Sequence, residues 1–263
     1  MITPALLSVT FRSLPAEEVV RLATAHRLAA IEWGADIHAP PRDLDAVRRV
    51  RDLTRAAGLS VCAYGSYFRL GVQVPGAATF PEVLAAAKVL EAPLIRVWVG
   101  NRGSAAISDG ERQAMVAEAQ EIADLARQEG IIIATEWHGG TLTDCAAASL
   151  AFLRAVDRPN FRTIWQPHQG QSDDDATADL RQALPWIVHV HVFSWWPMAE
   201  RHPLAFREQA WRTWLGILTG AGPMAAGLEF VVQDDPACLI DDAALLRTMV
   251  ADAWSARVSS GRG

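Results

Sequence analysis

Short hydrophobic runs alternate with longer segments of helical periodicity along the whole chain. The runs have the length of buried strands, and the segments between them repeat apolar residues every three to four positions, as amphipathic helices do. We therefore predict eight strands, at 5–11, 28–33, 59–65, 94–100, 131–137, 161–166, 187–193 and 227–232. Strands that alternate with helices form right-handed βαβ units and a parallel sheet.

Helix boundaries support this pattern. Ser108 and Glu111 form a capping-box signal at the start of one helix, while Gly58 and Gly130 end the second and fourth helices. Eight strand–helix units at intervals of about 30 residues fit a (β/α)₈ TIM barrel. An open, doubly wound sheet is the alternative. We expect one domain over 1–258 and a flexible tail over 259–263.

Composition excludes several classes of protein. The net charge of −6 is spread thinly, and the only basic cluster, at 48–51, has acidic neighbours, so we expect no nucleic-acid partner. The chain shows no long apolar run and no basic leader, which predicts a cytoplasmic protein without a membrane span. Lys88 is the only lysine and lies in a helical segment, which disfavours Schiff-base chemistry. The sequence contains neither a dinucleotide-binding nor a P-loop motif, and its three cysteines form no CxxC pair.

Polar residues at the carboxyl ends of the strands are the candidates for chemistry, because barrel active sites lie there. Side chains at i and i+2 of a strand share a face, so each strand can present a pair of polar groups. The candidates are Glu32, Glu136 with His138, Gln166 with His168, His189 with His191, and Glu229. Three valines alternate with the two histidines of strand seven, which places both histidines inside the barrel.

Four of these residues suit a divalent cation. A single glutamate at a strand end usually pairs with an arginine, and a single histidine usually packs in the core. Glu136, Gln166, His191 and Glu229, however, stand on four successive strands at the same end. Their mixture of oxygen and nitrogen ligands suits Mn²⁺, Mg²⁺ or Co²⁺, and the absence of thiolates argues against structural zinc.

The chain resembles the xylose-isomerase-like superfamily of TIM barrels over roughly 3–255. The resemblance lies in SVTFRSLPAEEVVRLA, AIEW, IRVWVG, ATEWHGG, HVHVF and GLEF, in that order. It implies a divalent metal, most often Mn²⁺, held by Glu136, His191 and Glu229, with Gln166 where the family usually has aspartate. A neutral amide there predicts weaker metal binding. It also implies that Glu136 and Glu229 are catalytic and move a proton on either face of an enediolate.

The resemblance therefore implies a metal-dependent isomerase or epimerase of a sugar or similar polyol. A lyase, a dehydratase or a glycoside-cleaving enzyme is the alternative, and a non-catalytic binding barrel is a third. The acidic balance and sparse ligands disfavour the DNA-cleaving members. We expect a homodimer or homotetramer.

Aromatic and polar residues near the strand ends are expected to bind the substrate, because flat rings suit the C–H faces of sugars. Trp33, Trp98 and Trp137 either share this role or fill the layer between strands and helices. The predicted substrate-binding residues are Glu32, Arg102, His138, His168, His189, Trp195, Trp196 and Arg207.

Overall fold

Eight parallel strands close into a barrel, in which each strand pairs with its sequence neighbours and the last pairs with the first. The computed structural model describes residues 1–261. The strands are β1 Ile2–Leu7, β2 Ala30–Gly34, β3 Ser60–Leu70, β4 Leu94–Val99, β5 Ile132–Glu136, β6 Phe161–Trp165, β7 Ile187–Val192 and β8 Met224–Leu228. This arrangement confirms the predicted single-domain (β/α)₈ TIM barrel.

The outer layer consists of eight helices, one after each strand. They are α1 Ala16–Ala25, α2 Leu44–Ala56, α3 Phe80–Leu90, α4 Asp109–Gln128, α5 Ala146–Val156, α6 Asp173–Ala183, α7 Glu208–Leu218 and α8 Leu239–Ser259. The predicted capping box of Ser108 and Glu111 starts α4. Gly58 and Gly130 follow α2 and α4 with φ of 71° each, a conformation that glycine adopts at little cost. None of the described helices carries an apolar stretch long enough to cross a membrane.

Strands β1, β3 and β8 differ most from the prediction, and β3 runs to Leu70 instead of ending at residue 65. The first strand ends at Leu7, and Ser8–Phe11 forms a 3₁₀ turn, in which the Ser8 hydroxyl accepts the N–H of Gly34. The last strand begins at Met224, because it pairs with β1 from Ile2 onward. At the carboxyl end, α8 continues through Ser259, one residue into the predicted tail, and positions 262–263 lie outside the described residues.

The barrel interior carries alanines at several positions where many barrels carry branched residues. Leu94 and Ala134 share a strand face with Arg96 and Glu136, so they lie in the interior beneath those two side chains. Leu94 and Ala134 pack with Ala63 and Ile164, while Ala5, Ala30 and Ala225 form a second small cluster. These small side chains leave room for long polar groups above them.

Strand β3 extends beyond the barrel rim and breaks its register with β4 between Gly65 and Arg69. Tyr67 lies in this bulge with a φ of 58°, a left-handed conformation that is uncommon for a tyrosine. Bulges of this kind re-aim side chains near functional sites. Here the bulge carries the Tyr67 ring over the carboxyl end of the barrel, where it lies 4.9 Å from the Arg96 guanidinium.

Candidate metal centre

Four candidate ligands meet at the carboxyl ends of strands β5 to β8. His191 Nδ1 lies 3.0 Å from Gln166 Oε1, 3.4 Å from Glu136 Oε1 and 3.6 Å from Glu229 Oε2. Glu136 and His191 end buried strands, whereas Gln166 and Glu229 come directly after β6 and β8. The backbone N–H of Glu229 continues the strand ladder by donating to Val192 O. One imidazole nitrogen therefore faces three oxygens from three other strands.

The side-chain amide of Gln166 is oriented by a backbone carbonyl. Its Nε2 donates to Trp137 O at 2.8 Å, which leaves Oε1 toward His191. The amide thus presents its acceptor atom at the position where the family usually has an aspartate.

Behind this cluster, Glu32 is a fully buried carboxylate with three donors. His189 Nε2 and His191 Nε2 donate to its Oε2 at 3.0 and 3.2 Å, and Arg96 Nε donates to its Oε1 at 3.1 Å. A histidine that donates one ring N–H to a carboxylate presents the lone pair of its other nitrogen, an arrangement typical of metal-binding histidines. Glu32, His189 and His191 also satisfy the spacing of a cation site, but the guanidinium already neutralises Glu32.

Arg96 connects the two layers of the site. Its Nη1 donates to Glu136 Oε2, which also accepts from Trp98 Nε1. The close approach depends on Gly65, because a Cβ there would lie 2.6 Å from Arg96 Nη2 and 2.8 Å from Glu32 Oε1. Only glycine leaves that space free.

The pKa shifts show that the cluster attracts positive charge. Burial lowers the pKa of His191, but the carboxylates of Glu229 and Glu32 outweigh it and raise this pKa to about 10. Burial raises the pKa of Glu229 to about 7, and Glu136 adds to that rise. Burial also acts to raise the pKa of Glu136, yet Arg96 and His191 hold it well below its usual range.

The charge count fits a divalent cation. Three buried or nearly buried carboxylates, of Glu32, Glu136 and Glu229, face one guanidinium, that of Arg96. Binding of a metal requires a neutral His191. With both histidines neutral, two negative charges remain, and buried charge of this kind requires compensation. A divalent cation bound by Glu136, Gln166, His191 and Glu229 would supply it. The residues present therefore fit the metal that the sequence predicts, although its identity stays a prediction.

A cavity of about 240 Å³ opens from these ligands to the rim of the barrel. Of the predicted substrate-binding residues, His138, His168 and Trp195 line it. His138 Nδ1 donates to Gly139 O at 2.6 Å, and the ring of His168 stacks on Trp137. Burial lowers the pKa of His168.

The structure keeps the other five predicted substrate-binding residues away from this cavity. Glu32 and His189 are sealed beneath the ligands, 0% and 1% exposed, because they lie lower along the barrel axis. Arg102 points outward and pairs with Glu111. Arg207 pairs with Asp173, and it shares a shallow surface depression with the exposed Trp196. The structure does not bring these five residues to the cavity, and their part in substrate binding stays a prediction.

Several cavity residues were missed by the sequence reasoning. Arg96 is the one charged residue in its apolar strand, the same signal that identified Glu32 and Glu229. Trp98 shares its strand face and lines the cavity, whereas Trp33 fills the strand–helix layer and donates to Thr54. Tyr67 reaches the cavity because of the β3 bulge, and the sequence around it contains no signal that predicts this bulge. Arg12 donates to its hydroxyl at 2.7 Å.

A sequence comparison finds similarity to a known enzyme over part of the chain. Over 98 residues the chain is 36% identical to a 3-dehydroshikimate dehydratase from Bacillus anthracis, a match that covers 37% of this chain and 35% of that protein. The matched stretch thus spans about a third of the curated relative.

Solved structures share the fold across the whole chain. The probable 3-DHS dehydratase AsbF, involved in petrobactin synthesis in Bacillus anthracis, superposes with a TM-score of 0.74 at 20% identity, covering 94% of this chain and 99% of that one. A D-psicose 3-epimerase from Clostridium cellulolyticum H10 superposes with a TM-score of 0.66 at 14% identity, covering 97% of each chain. A family model described as a xylose isomerase-like TIM barrel matches residues 20–247. The chain belongs to this xylose isomerase-like TIM barrel family.

Proposed function

We propose that the protein is a divalent-metal-dependent dehydratase that eliminates water from a small, polyhydroxylated carboxylate. The observation that carries this proposal is that Glu136 and Glu229 differ in their hydrogen-bond contacts. Glu136 is held by Arg96 and Trp98, so it serves as a ligand with no freedom to exchange a proton. Within residues 1–261, the Glu229 carboxylate has no polar contact other than His191. Epimerisation by two equivalent glutamates needs both to be free, whereas elimination needs a single group that removes the proton, and that group need not be a metal ligand.

His138 is the base that the geometry supports. Because its Nδ1–H donates to Gly139 O, its Nε2 carries the lone pair, and the ring lines the cavity. Nε2 takes the proton from the carbon next to a substrate carbonyl. The same imidazolium then returns that proton to the departing hydroxyl, so that water leaves and the histidine is neutral again. A divalent cation bound to the four ligands supplies Lewis acidity, which acidifies this C–H bond.

The cavity suits a ligand that carries several oxygen atoms. The buried ring nitrogens His168 Nε2 and Trp195 Nε1, like Trp137 Nε1, have no hydrogen-bond partner among the described residues. Buried nitrogens of this kind can pair with oxygen atoms of a ligand or of water. Arg12 stands at the rim, 42% exposed, where its guanidinium can pair with a substrate carboxylate. The similarity to a 3-dehydroshikimate dehydratase supports the same class of compound.

The test is a spectrophotometric assay with 3-dehydroshikimate and added Mn²⁺, in which the conjugated product absorbs in the ultraviolet. We expect turnover in the wild type. His138→Asn should abolish turnover while leaving Mn²⁺ binding intact, and Glu229→Gln should lose both. His26→Asn, a half-exposed histidine after α1, is the control and should retain full activity. Undiminished turnover in His138→Asn would refute the assigned base.

A sugar isomerase or epimerase is the second candidate. It is favoured by the presence of two carboxylates within 3.4 and 3.6 Å of one imidazole nitrogen. Ketohexoses incubated with the protein in D₂O separate the two reactions, because epimerisation incorporates deuterium and yields a sugar without ultraviolet absorbance. Deuterated sugar products together with an inactive 3-dehydroshikimate assay would replace the dehydratase proposal.

A further inference from the structure

A second cavity, of about 720 Å³, lies beside the metal centre and is the larger of the two. It is enclosed by the β3 bulge, the segment 72–81 and the outer face of α4. Its volume falls in the range of about 300–1,000 Å³ that is typical of small-molecule sites. The metal centre makes no use of it.

Tyr67 separates the two cavities and contributes to the wall of each. Its hydroxyl accepts from Arg12, which also pairs with Asp36 at 2.6 Å. A ligand in the larger cavity therefore meets this side-chain wall before it reaches the metal ligands. The cavity is a separate compartment.

The chemistry of the wall is apolar with one cation. Phe68, Phe80, Ile122 and Leu125 supply apolar surface. Arg69 donates through Nη1 to Gly100 O at 3.1 Å, and its guanidinium stacks on the ring of Trp98 at 4.0 Å. Within residues 1–261, no carboxylate forms an ion pair with it. Its remaining N–H donors are available to an anion.

Three carboxylates line the cavity: Asp36, which pairs with Arg12, and two more on the opposite side along α4. Glu118 accepts the backbone N–H of Gly71 at 2.6 Å, and Glu121 stands at the exposed rim. Neither pairs with Arg69. An anionic group therefore fits only on the β3 side, and the α4 side takes the neutral end of a ligand.

We propose that this cavity binds an organic anion with a flat apolar body, such as an aromatic carboxylate, whose acidic group pairs with Arg69. The planar guanidinium matches a carboxylate or sulfonate through two parallel hydrogen bonds. The aromatic body packs against Phe68 and Phe80. This site is independent of the proposed elimination reaction.

The test compares two fluorescent probes that share an aromatic frame. The first, 8-anilinonaphthalene-1-sulfonate, carries an anion, and N-phenyl-1-naphthylamine lacks it. Arg69→Gln should weaken binding of the sulfonate by about tenfold, as expected for a lost charge-assisted bidentate pair. Binding of the neutral probe should change less than about twofold, since the apolar residues that it contacts are unchanged. Cinnamate should displace the sulfonate, and cinnamyl alcohol should not.

Two further variants and two checks of folding define the outcome. Ala77→Trp places a large ring at the exposed rim of the cavity and should block both probes, whereas Arg154→Gln removes one exposed positive charge from α5 and should change neither. Circular dichroism and Mn²⁺ uptake establish that each variant is folded. The proposal is overturned if the wild type binds no sulfonate, if Arg69→Gln affects both probes equally, or if Ala77→Trp leaves binding unchanged.

Discussion

Replacing Glu32 by glutamine tests whether the buried network controls the metal centre. The substitution keeps the shape of the side chain and removes one charge. The new amide can present either its oxygen or its NH₂ group to the two histidines, but not both. If the NH₂ group faces them, His191 Nε2 must become an acceptor, and its proton moves to Nδ1, the atom that faces the ligand oxygens. If the NH₂ group faces Arg96 instead, it lies opposite the Arg96 Nε–H, and two hydrogen-bond donors meet without an acceptor.

The magnitude follows from burial and hydrogen bonding. Glu32 accepts three hydrogen bonds at 3.0–3.2 Å and is completely buried. Burial alone would raise its pKa, but His191, His189 and Arg96 hold this pKa well below the usual range. The Glu32 carboxylate is therefore ionised in the folded protein. Removing one partner of a buried ion pair costs about 3–5 kcal/mol of unfolding free energy. Loss of a residue that orients a metal-binding histidine lowers metal affinity by about 10- to 100-fold.

Two measurements check this expectation. Denaturant titration of the metal-free protein gives the loss of stability, and calorimetric titration with Mn²⁺ gives the change in affinity. Glu17→Gln is the matched control, because Glu17 is an exposed partner of Arg49 far from the barrel interior. We expect the control to bind Mn²⁺ like the wild type. Wild-type stability and affinity in Glu32→Gln would refute the reasoning.

Three further predictions concern the same centre. Gly65→Ala should displace the buried guanidinium and destabilise the protein by about 1–3 kcal/mol in denaturant titration; Gly110→Ala, whose Cβ meets nothing within 4 Å, should not destabilise it. Gln166→Glu adds a negative charge, so it should raise Mn²⁺ affinity by about tenfold, or ~1.4 kcal/mol, and lower the melting temperature of the metal-free form. An unchanged affinity in calorimetric titration would contradict the charge count. Chelation should lower the melting temperature, because a cation at 100 times its Kd adds about 2.7 kcal/mol, and Glu229→Gln should remove that difference.

The fold could be predicted because its signal repeats eight times. Each hydrophobic run was followed by a helical segment, so an error in one boundary, as in β1 or β8, left the topology unchanged. The four ligand candidates were also visible, since a polar side chain on an apolar strand is costly without a partner. The structure brings all four together, and this agreement concerns position rather than function.

Other parts of the site depend on information that a single strand does not contain. Alternation reveals which face a residue occupies but not its height along the barrel axis, so Glu32 and His189 were expected at the cavity and lie beneath it. Arg102, Arg207 and Trp196 belong to loops, whose paths are set by tertiary contacts such as the Arg207–Asp173 pair. Nothing local indicates these paths.

Arg96 and Glu32 bridge strands that are not neighbours in the sheet. Arg96 joins β4 to β2 as well as to its neighbour β5, and Glu32 extends the connection from β2 to β7. This network thus holds Glu136 and His191 from within the barrel, whereas Gln166 and Glu229 lie one residue beyond their strands. We expect loop positions farther from the strand ends than Gln166, Glu229 and His138 to accept new residues while the candidate ligands stay in place. For directed evolution, the rim is the place to alter substrate choice, and the cross-barrel network is the part to leave untouched.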